Sequence, residues 1–474
     1  MRFIITLVLL LWLAGCTAND KPAVNRYALI ESTGVTVTIE KQDDVRWLAH
    51  YVFETPQTAM LFSRSGGNYR TGSWTSIDDN VRLERLSGFD ALLFAKPNTS
   101  ARLTFVPYTQ NVPKDYTPFI PFSDGGAAVF TGQFDLMPAA DAAYIEALNG
   151  DIRKWEGKQP RLGVRVLSKT PMIQNAKILN DEAIDMTIGG GDYIYVGSAK
   201  ITQGTDFIGV IDPGLPQWLS SRFDKDISNI FEGHRQMWGD GLKQKSMVLF
   251  SFRGYGTSGF TNKGGALGNM LALETSGDSL RTESEDTLNH FHWFFAHEAA
   301  HLFQNRAGVN LGDSHQAWIT EGAANAMANN VLRHQNLADD AYILSEYAKE
   351  YEQCTLYVKT QKLSEAAQNG QFKVLYACGD IIAQITDAVL KDHTLFEFWN
   401  VMLRDAKEKT TYSAHDYFAA MQKLGAPESI IDGLRGFTDG KSEAPVMALQ
   451  NLMKDSGLAP KFDGDGKLIS LKLP

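Results

Sequence analysis

The stretch FHWFFAHEAAHLFQNR, residues 291–306, places His297 and His301 four positions apart with Glu298 directly after the first. On a helix, positions i and i+4 lie one above the other on a single face. Two imidazoles so placed can share one metal ion, and Glu298 beside them can act on a water held there. The stretch contains no Pro or Gly, and its Phe and Ala residues suit a buried helix. The same letters also fit an amphipathic helix that carries two histidines for other reasons. The remainder of the chain has to decide.

A zinc site needs a third ligand on a nearby element. Downstream stands QAWITEGAANAMANNVL, residues 316–332, whose Ala-rich 3–4 spacing predicts a second helix with Glu321 near its start. An acid in a first turn is also what the helix dipole favours, so Glu321 alone decides nothing. Asn325, one turn on, is either a partner that orients a liganding imidazole or a surface side chain.

Taken together, His297-Glu298-x-x-His301 and Trp318-Ile-Thr-Glu321-Gly322 resemble the gluzincin metallopeptidases, in particular the M1 and M61 aminopeptidase families. The resemblance implies one zinc ion per chain on His297, His301 and Glu321, with Glu298 as general base. It also implies an α+β architecture, a β-rich N-terminal domain followed by a mainly helical, thermolysin-like catalytic domain. Those families carry a Tyr in a Y-x-x-G motif that steadies the oxyanion. Tyr376-Ala-Cys-Gly379, fifty-five residues after Glu321, matches it. They also carry G-A-M-E-N on a strand edging the cleft, whose Glu holds the substrate's free amine. Gly265-Ala266-Leu267-Gly268-Asn269 is similar and implies a peptide-binding strand, but Gly268 stands where that Glu belongs. Backbone pairing with an extended peptide survives this departure; selection for a free N-terminus loses its carboxylate. Glu274 is the nearby acid that could substitute.

Other motifs have plainer readings. Gly254-Tyr-Gly256-Thr-Ser-Gly259 is a formal GxGxxG after a strand, but FTNKGGALGN does not open a helix, so a loop at the cleft is expected rather than a nucleotide site. His290, His292 and His315 crowd the motif and read as packed or exposed side chains.

The chain has 474 residues, 44% of them hydrophobic, enough for two domains with large cores. Its net charge is −10 and no block of Lys and Arg stands out, which excludes nucleic acid as a partner. MRFIITLVLLLWLAGC begins with one Arg before an apolar run too short to span a bilayer comfortably. Leu13-Ala14-Gly15-Cys16 resembles the lipobox of bacterial lipoproteins. That resemblance implies removal of residues 1–15, lipidation of Cys16, and membrane attachment through the lipid; Thr17 in place of Asp implies the outer membrane. Residues 16–30 read as lipidated Cys and tether, 31–203 as the β-rich domain, 204–440 as the peptidase domain and 441–474 as an extension. Strand-like runs such as GVTVTIE, WLAHYVFE, AMLFSR, ALLFAK and ARLTFVPY fill the first domain and suggest a β-rich sandwich or saddle, interrupted by a helical patch at 139–155. Helical patterns dominate from about 285 to 440. Cys354 and Cys378 either pair as one disulfide or remain buried thiols. The reading is a zinc peptidase of the cell envelope acting on peptides or proteins. The alternative is a peptidase-like lipoprotein that binds peptides or assists envelope assembly without hydrolysis.

Overall fold

Alternation in VTVTIEK carries Val35, Val37 and Ile39 to one face, where all three are buried. This strand, Val35–Lys41, pairs antiparallel with Trp47–Phe62 and parallel with Leu162–Gln174, at the middle of an eleven-stranded sheet. The computed structural model describes residues 26–43, 45–107 and 117–473, so the signal segment, Cys16 and most of the tether lie outside the described residues.

Two strands of this sheet are longer than their apolar patterns suggest. Trp47–Phe62 and Phe89–Phe105 have 16 and 17 residues and pair with each other. Each joins two of the expected runs through a polar middle, ETPQT or KPNTS, that projects beyond the core. Solvent on both faces removes the apolar alternation there, and the pairing register shifts around Gln57. The helical patch at 139–155 shortens to a helix at Ala142–Ala147 and a single 3-10 turn at Ile152–Lys154. Asn149 and Gly150, both at positive φ, separate them.

A second sheet follows in the order 200–203, 207–211, 246–252, 270–276, 261–267. Phe207–Ile211, Ser246–Phe252 and Met270–Ser276 run parallel, and all seven residues of SMVLFSF are buried. Thr261–Leu267 lies antiparallel at the edge. One face of this sheet packs on the first: Val210, Leu249 and Met270 meet Phe122 and Tyr195. The other face meets the helices, with Val248, Phe250 and Leu271 against Phe291 and Phe295. The histidine-bearing stretch is thereby pressed against a rigid sheet.

The rest is mainly helical. Gln217–Trp238 starts after Pro216 and stops at left-handed Gly239. Helices Thr320–His334 and Phe372–Val389 run side by side in the same direction, Gly322 on Gly379 and, further along, the Asn330 amide 3.2 Å from the Asp387 carboxylate. A third helix, Asp340–Val358, is tied to the last by a Cys354–Cys378 disulfide. Helix Pro445–Asp455 and a short hairpin at 461–470 close the chain. Among the described residues no helix is long and apolar enough to cross a membrane.

Candidate metal centre and active site

Helix Glu285–Gln304 carries the two histidines. Ser284 caps it by accepting from the Thr287 N–H at 3.3 Å, and Glu285 and Asp286 occupy its first turn. Deeper in, His234 fixes it from behind: its Nε2 lies 2.8 Å from the carbonyl oxygen of Ala296, one residue before His297. His297 and His301 then face Glu321 from the start of the Thr320–His334 helix. The two Nε2 atoms are 3.1 Å apart, and Glu321 Oε2 lies 3.1 Å from that of His301 and 3.5 Å from that of His297. Two zinc–nitrogen bonds of about 2.0–2.1 Å at a tetrahedral angle separate their nitrogens by about 3.3 Å, so this donor set fits zinc. Among the described residues this is the one group of three or more His, Cys, Asp or Glu side chains able to hold a metal.

The electrostatics agree with a cation between these groups. Burial opposes charge on His301, yet the hydrogen bond and charge of Glu321, with the charge of Glu298, carry its pKa up to about 9. Burial pushes the Glu321 carboxyl up, but His297 and His301 together hold it well below the usual carboxylate range. The site attracts positive charge, whether protons or a metal ion.

Three further groups surround the centre. Glu298 Oε2 accepts the Ala266 N–H at 2.7 Å, which ties the carboxylate to the edge strand. The Tyr376 ring stacks on His297 with centroids 6.0 Å apart, and its hydroxyl reaches Glu321. Burial first, then the charge of Glu321 and the hydrogen bond to it, raises this phenol well above its ordinary value. It stays protonated and able to donate. Trp293 also packs against His297, centroids 5.3 Å apart.

Gly322 and Gly379 explain how Glu321 and Tyr376 meet. A Cβ on Gly322 would lie 2.0 Å from the Gly379 carbonyl carbon, and one on Gly379 would lie 2.2 Å from the Trp318 carbonyl oxygen. The two helices touch backbone to backbone, which only glycine permits.

The GALGN stretch divides. Gly265 and Ala266 sit against Glu298, a Cβ on Gly265 falling 3.8 Å from its Oε2. Leu267 is exposed and Gly268 turns the chain at φ +58° with open space around it. Asn269 faces inward instead, accepting from Ser246 Oγ at 2.8 Å and donating to the Lys245 carbonyl at 2.6 Å. Glu274 pairs across the hairpin with Lys263 and lies 3.6 Å from Arg253. It is four residues, about 13 Å, along the strand from Met270, which itself follows the turn at Gly268, and so does not replace the missing carboxylate there.

The other histidines take structural places. His292 Nε2 lies 2.9 Å from Asp226, His290 is half-buried against Trp293, and His315 is exposed. Asn325 is buried but reaches neither imidazole, so neither expectation for it holds. The orienting group is Gln304, whose Oε1 lies 2.9 Å from His301 Nδ1 while its Nε2 donates to the Thr320 carbonyl. Its signal was its place three residues after His301 on the same helix.

No protein-family model matches the sequence, and no curated protein matches it either. Solved structures do. An aminopeptidase N family protein from Idiomarina loihiensis is 12% identical over 88% of this chain and 78% of that one, with a TM-score of 0.59. An M1 zinc metallopeptidase from Deinococcus radiodurans is 12% identical, covering 87% of this chain and 94% of that one at a TM-score of 0.44. Yeast LTA4 hydrolase is 10% identical, covering 86% and 67% at 0.42. At such identity the likeness speaks for architecture, and the first of these carries it: the chain shares the fold of that aminopeptidase N family protein, a β-rich N-terminal part followed by a mostly helical one.

Proposed function

We propose that this protein is a zinc-dependent peptidase that hydrolyses peptide bonds and is anchored in the bacterial cell envelope through lipid on Cys16. The observation that carries the hydrolytic reading is the convergence of His297, His301 and Glu321 with Glu298 and Tyr376 around one point. His297, His301 and Glu321 would hold zinc, which when bound would supply an acidified water and positive charge for the scissile carbonyl. Glu298 takes the proton of that water and returns it to the leaving amine. The Tyr376 hydroxyl donates to the carbonyl oxygen as negative charge develops on it. The Thr261–Leu267 edge offers backbone groups to an extended substrate, and the Ala266 N–H already holds Glu298 in place.

The turn at Gly268 bears on whether a free N-terminus is required. With no side chain at the turn, nothing on the edge strand pairs with a free ammonium group, and a chain continuing past the amine has room. We therefore favour peptides irrespective of a free N-terminus. The anchored location rests on the sequence of residues 1–17, and labelled palmitate incorporation lost in Cys16→Ser tests it separately.

The decisive experiment for hydrolysis is Glu298→Gln. Glutamine keeps the size but takes no proton, so one zinc per chain is retained while turnover of a mixed peptide library falls by about 10²–10⁴. Near-normal turnover would place the base elsewhere. Absence of zinc from both wild type and variant would leave the alternative reading, a peptide-binding envelope protein.

A further inference from the structure

Strand Lys177–Thr187 lies along one side of Leu162–Gln174 and, among the described residues, pairs with no other strand. Its alternation decides what each residue meets. Ala183 turns into the core and the Asp185 carboxylate accepts the Thr131 hydroxyl at 2.5 Å, while Ile184 and Met186 turn outward. Ile184 is 41% exposed, Met186 44%, and Ile188, just past the strand, 63%. Half-buried Ile30 extends the patch: its Cδ1 lies 3.0 Å from where a side chain on Gly163, opposite Met186, would begin.

Neighbouring apolar side chains left in water mark a contact surface, and the path of the chain says for what. Residues 26–30 cross the same outer face. Arg165, directly opposite Ile184, donates from Nη1 to the carbonyl oxygens of Arg26 and Ala28, both at 2.9 Å. Thr38 Oγ1 donates to the Arg26 carbonyl at 3.3 Å, and the Ile30 N–H to Thr36 Oγ1 at 2.8 Å. The chain coming from Cys16 therefore arrives beside Ile184. Fully extended, the stretch from Cys16 to Arg26 spans at most about 35 Å. A chain of 474 residues folds to a radius of gyration of about 23 Å and a width of about 60 Å. A bilayer attached at Cys16 thus reaches the side that carries this patch, while the opposite side lies beyond the tether. Charges on this face are already matched, Arg165 with Glu182 at 2.6 Å and Arg26 with Glu40 at 3.9 Å, so neither pair meets lipid as a lone charge. Addition of a second copy to the strand is opposed by its form: the register breaks between Leu179 and Asp181, and Asp181 sits at φ +63°.

We propose that Ile30, Ile184, Met186 and Ile188 dock on the bilayer that holds the lipid of Cys16, which rests on the anchored location proposed above. The side chains enter the headgroup region only shallowly, and tethering makes so weak a contact effective by keeping the patch at high local concentration. Docking also aims the cleft. Asp185 and Met186 line the same cavity, of about 300 Å³, as Gly268 and Asn269, so the turn that ends the Thr261–Leu267 edge is held close to the lipid.

The test uses the full lipidated chain in vesicles of phosphatidylethanolamine and phosphatidylglycerol that carry a quencher near the headgroups. Cys354 and Cys378 are paired, so Met186→Cys supplies the free thiol for a fluorescent label. Met447→Cys, on the Pro445–Asp455 helix and 59% exposed, supplies the comparison. We expect quenching at position 186 to exceed that at 447 by at least about threefold, and to fall to the 447 level once Ile184→Asp and Ile188→Asp are added. Flotation with the vesicles should be unchanged in these variants, because the lipid remains. Equal quenching at the two positions in floating protein would overturn docking and leave the anchor intact. Quenching at 186 that survives both Asp substitutions would overturn it as well. A label shielded to the same degree without vesicles would give the face to a second copy instead. Protein that neither incorporates palmitate nor floats would defeat the anchor itself, and docking with it.

Discussion

Gly379→Ala adds one methyl group at the point where the two helices touch. Its Cβ would start 2.2 Å from the Trp318 carbonyl oxygen and 2.9 Å from the Gly322 Cα. Both neighbours are backbone and neither can rotate away. Restoring an ordinary carbon–oxygen contact of about 3.2–3.4 Å requires the helices to part by about 1 Å, a displacement that in an active site can cost about 10²-fold in rate. Glu321 and Tyr376, adjacent to this crossing on either helix, separate by a similar amount. Overpacking of this kind also costs about 1–3 kcal/mol of stability. The assay is kcat/KM on a library-derived peptide together with zinc content and Tm. We expect kcat/KM to fall about a hundredfold, Tm to drop by several degrees, and zinc to be retained more weakly because His297 and His301 remain in place. Gly436→Ala is the control: a Cβ there meets nothing within 4 Å, and Ala stabilises a helix by about 0.5–1 kcal/mol. Full activity with an unchanged Tm in Gly379→Ala would refute the idea that this contact sets the distance between Glu321 and Tyr376.

Three other outcomes are expected. Tyr376→Phe should lower kcat and kcat/KM together by about 10²–10³ with KM steady, and a fully active variant would mean the ring is only packed against His297. Peptides with blocked N-termini should be cleaved at least as fast as free ones, whereas strict dependence on a free amine would show that another acid reaches the turn at Gly268. Stability should fall as pH drops from about 6.5 to 4, because burial pushes the pKa of His234 down to about 4. In that window the unfolded chain takes up a proton that the folded one refuses, a loss of about 3 kcal/mol once pH reaches the lower limit. Replacing His234 by Gln should flatten this part of a Tm-against-pH curve, and an unaltered slope would assign the acid sensitivity to other groups.

The centre was legible in the sequence because its chemistry is written in local spacing. His297 and His301 must be one helical turn apart, and the motifs around Glu321 and Tyr376 carry their own glycines. What those glycines do was not legible, since the contact between Gly322 and Gly379 joins residues 57 positions apart. The same holds for His234, which supports Ala296 from another helix. The β-rich character of the first part was visible in alternating residues such as Val35, Val37 and Ile39. The true length of its strands was not: around Thr55 and Asn98 the sheet leaves the core, and hydrophobic patterning records burial rather than backbone pairing. Strand Lys177–Thr187, mostly exposed, escaped notice for the same reason.

The disulfide divides the candidate centre between residues that precede its covalent loop and one that lies within it. His297, His301 and Glu321 all precede Cys354, so metal loading draws on residues outside the covalent loop. Tyr376 is inside it, two residues before Cys378, and the loop of 24 residues it closes is worth about 3 kcal/mol in chain entropy. A reduced chain can therefore carry metal while its tyrosine helix is held by packing alone. Oxidation would then fasten the Phe372–Val389 helix, and with it Tyr376, to the Asp340–Val358 helix. On the proposed reading, metal content and turnover would therefore be separate measures, and a reduced preparation would satisfy the first without the second.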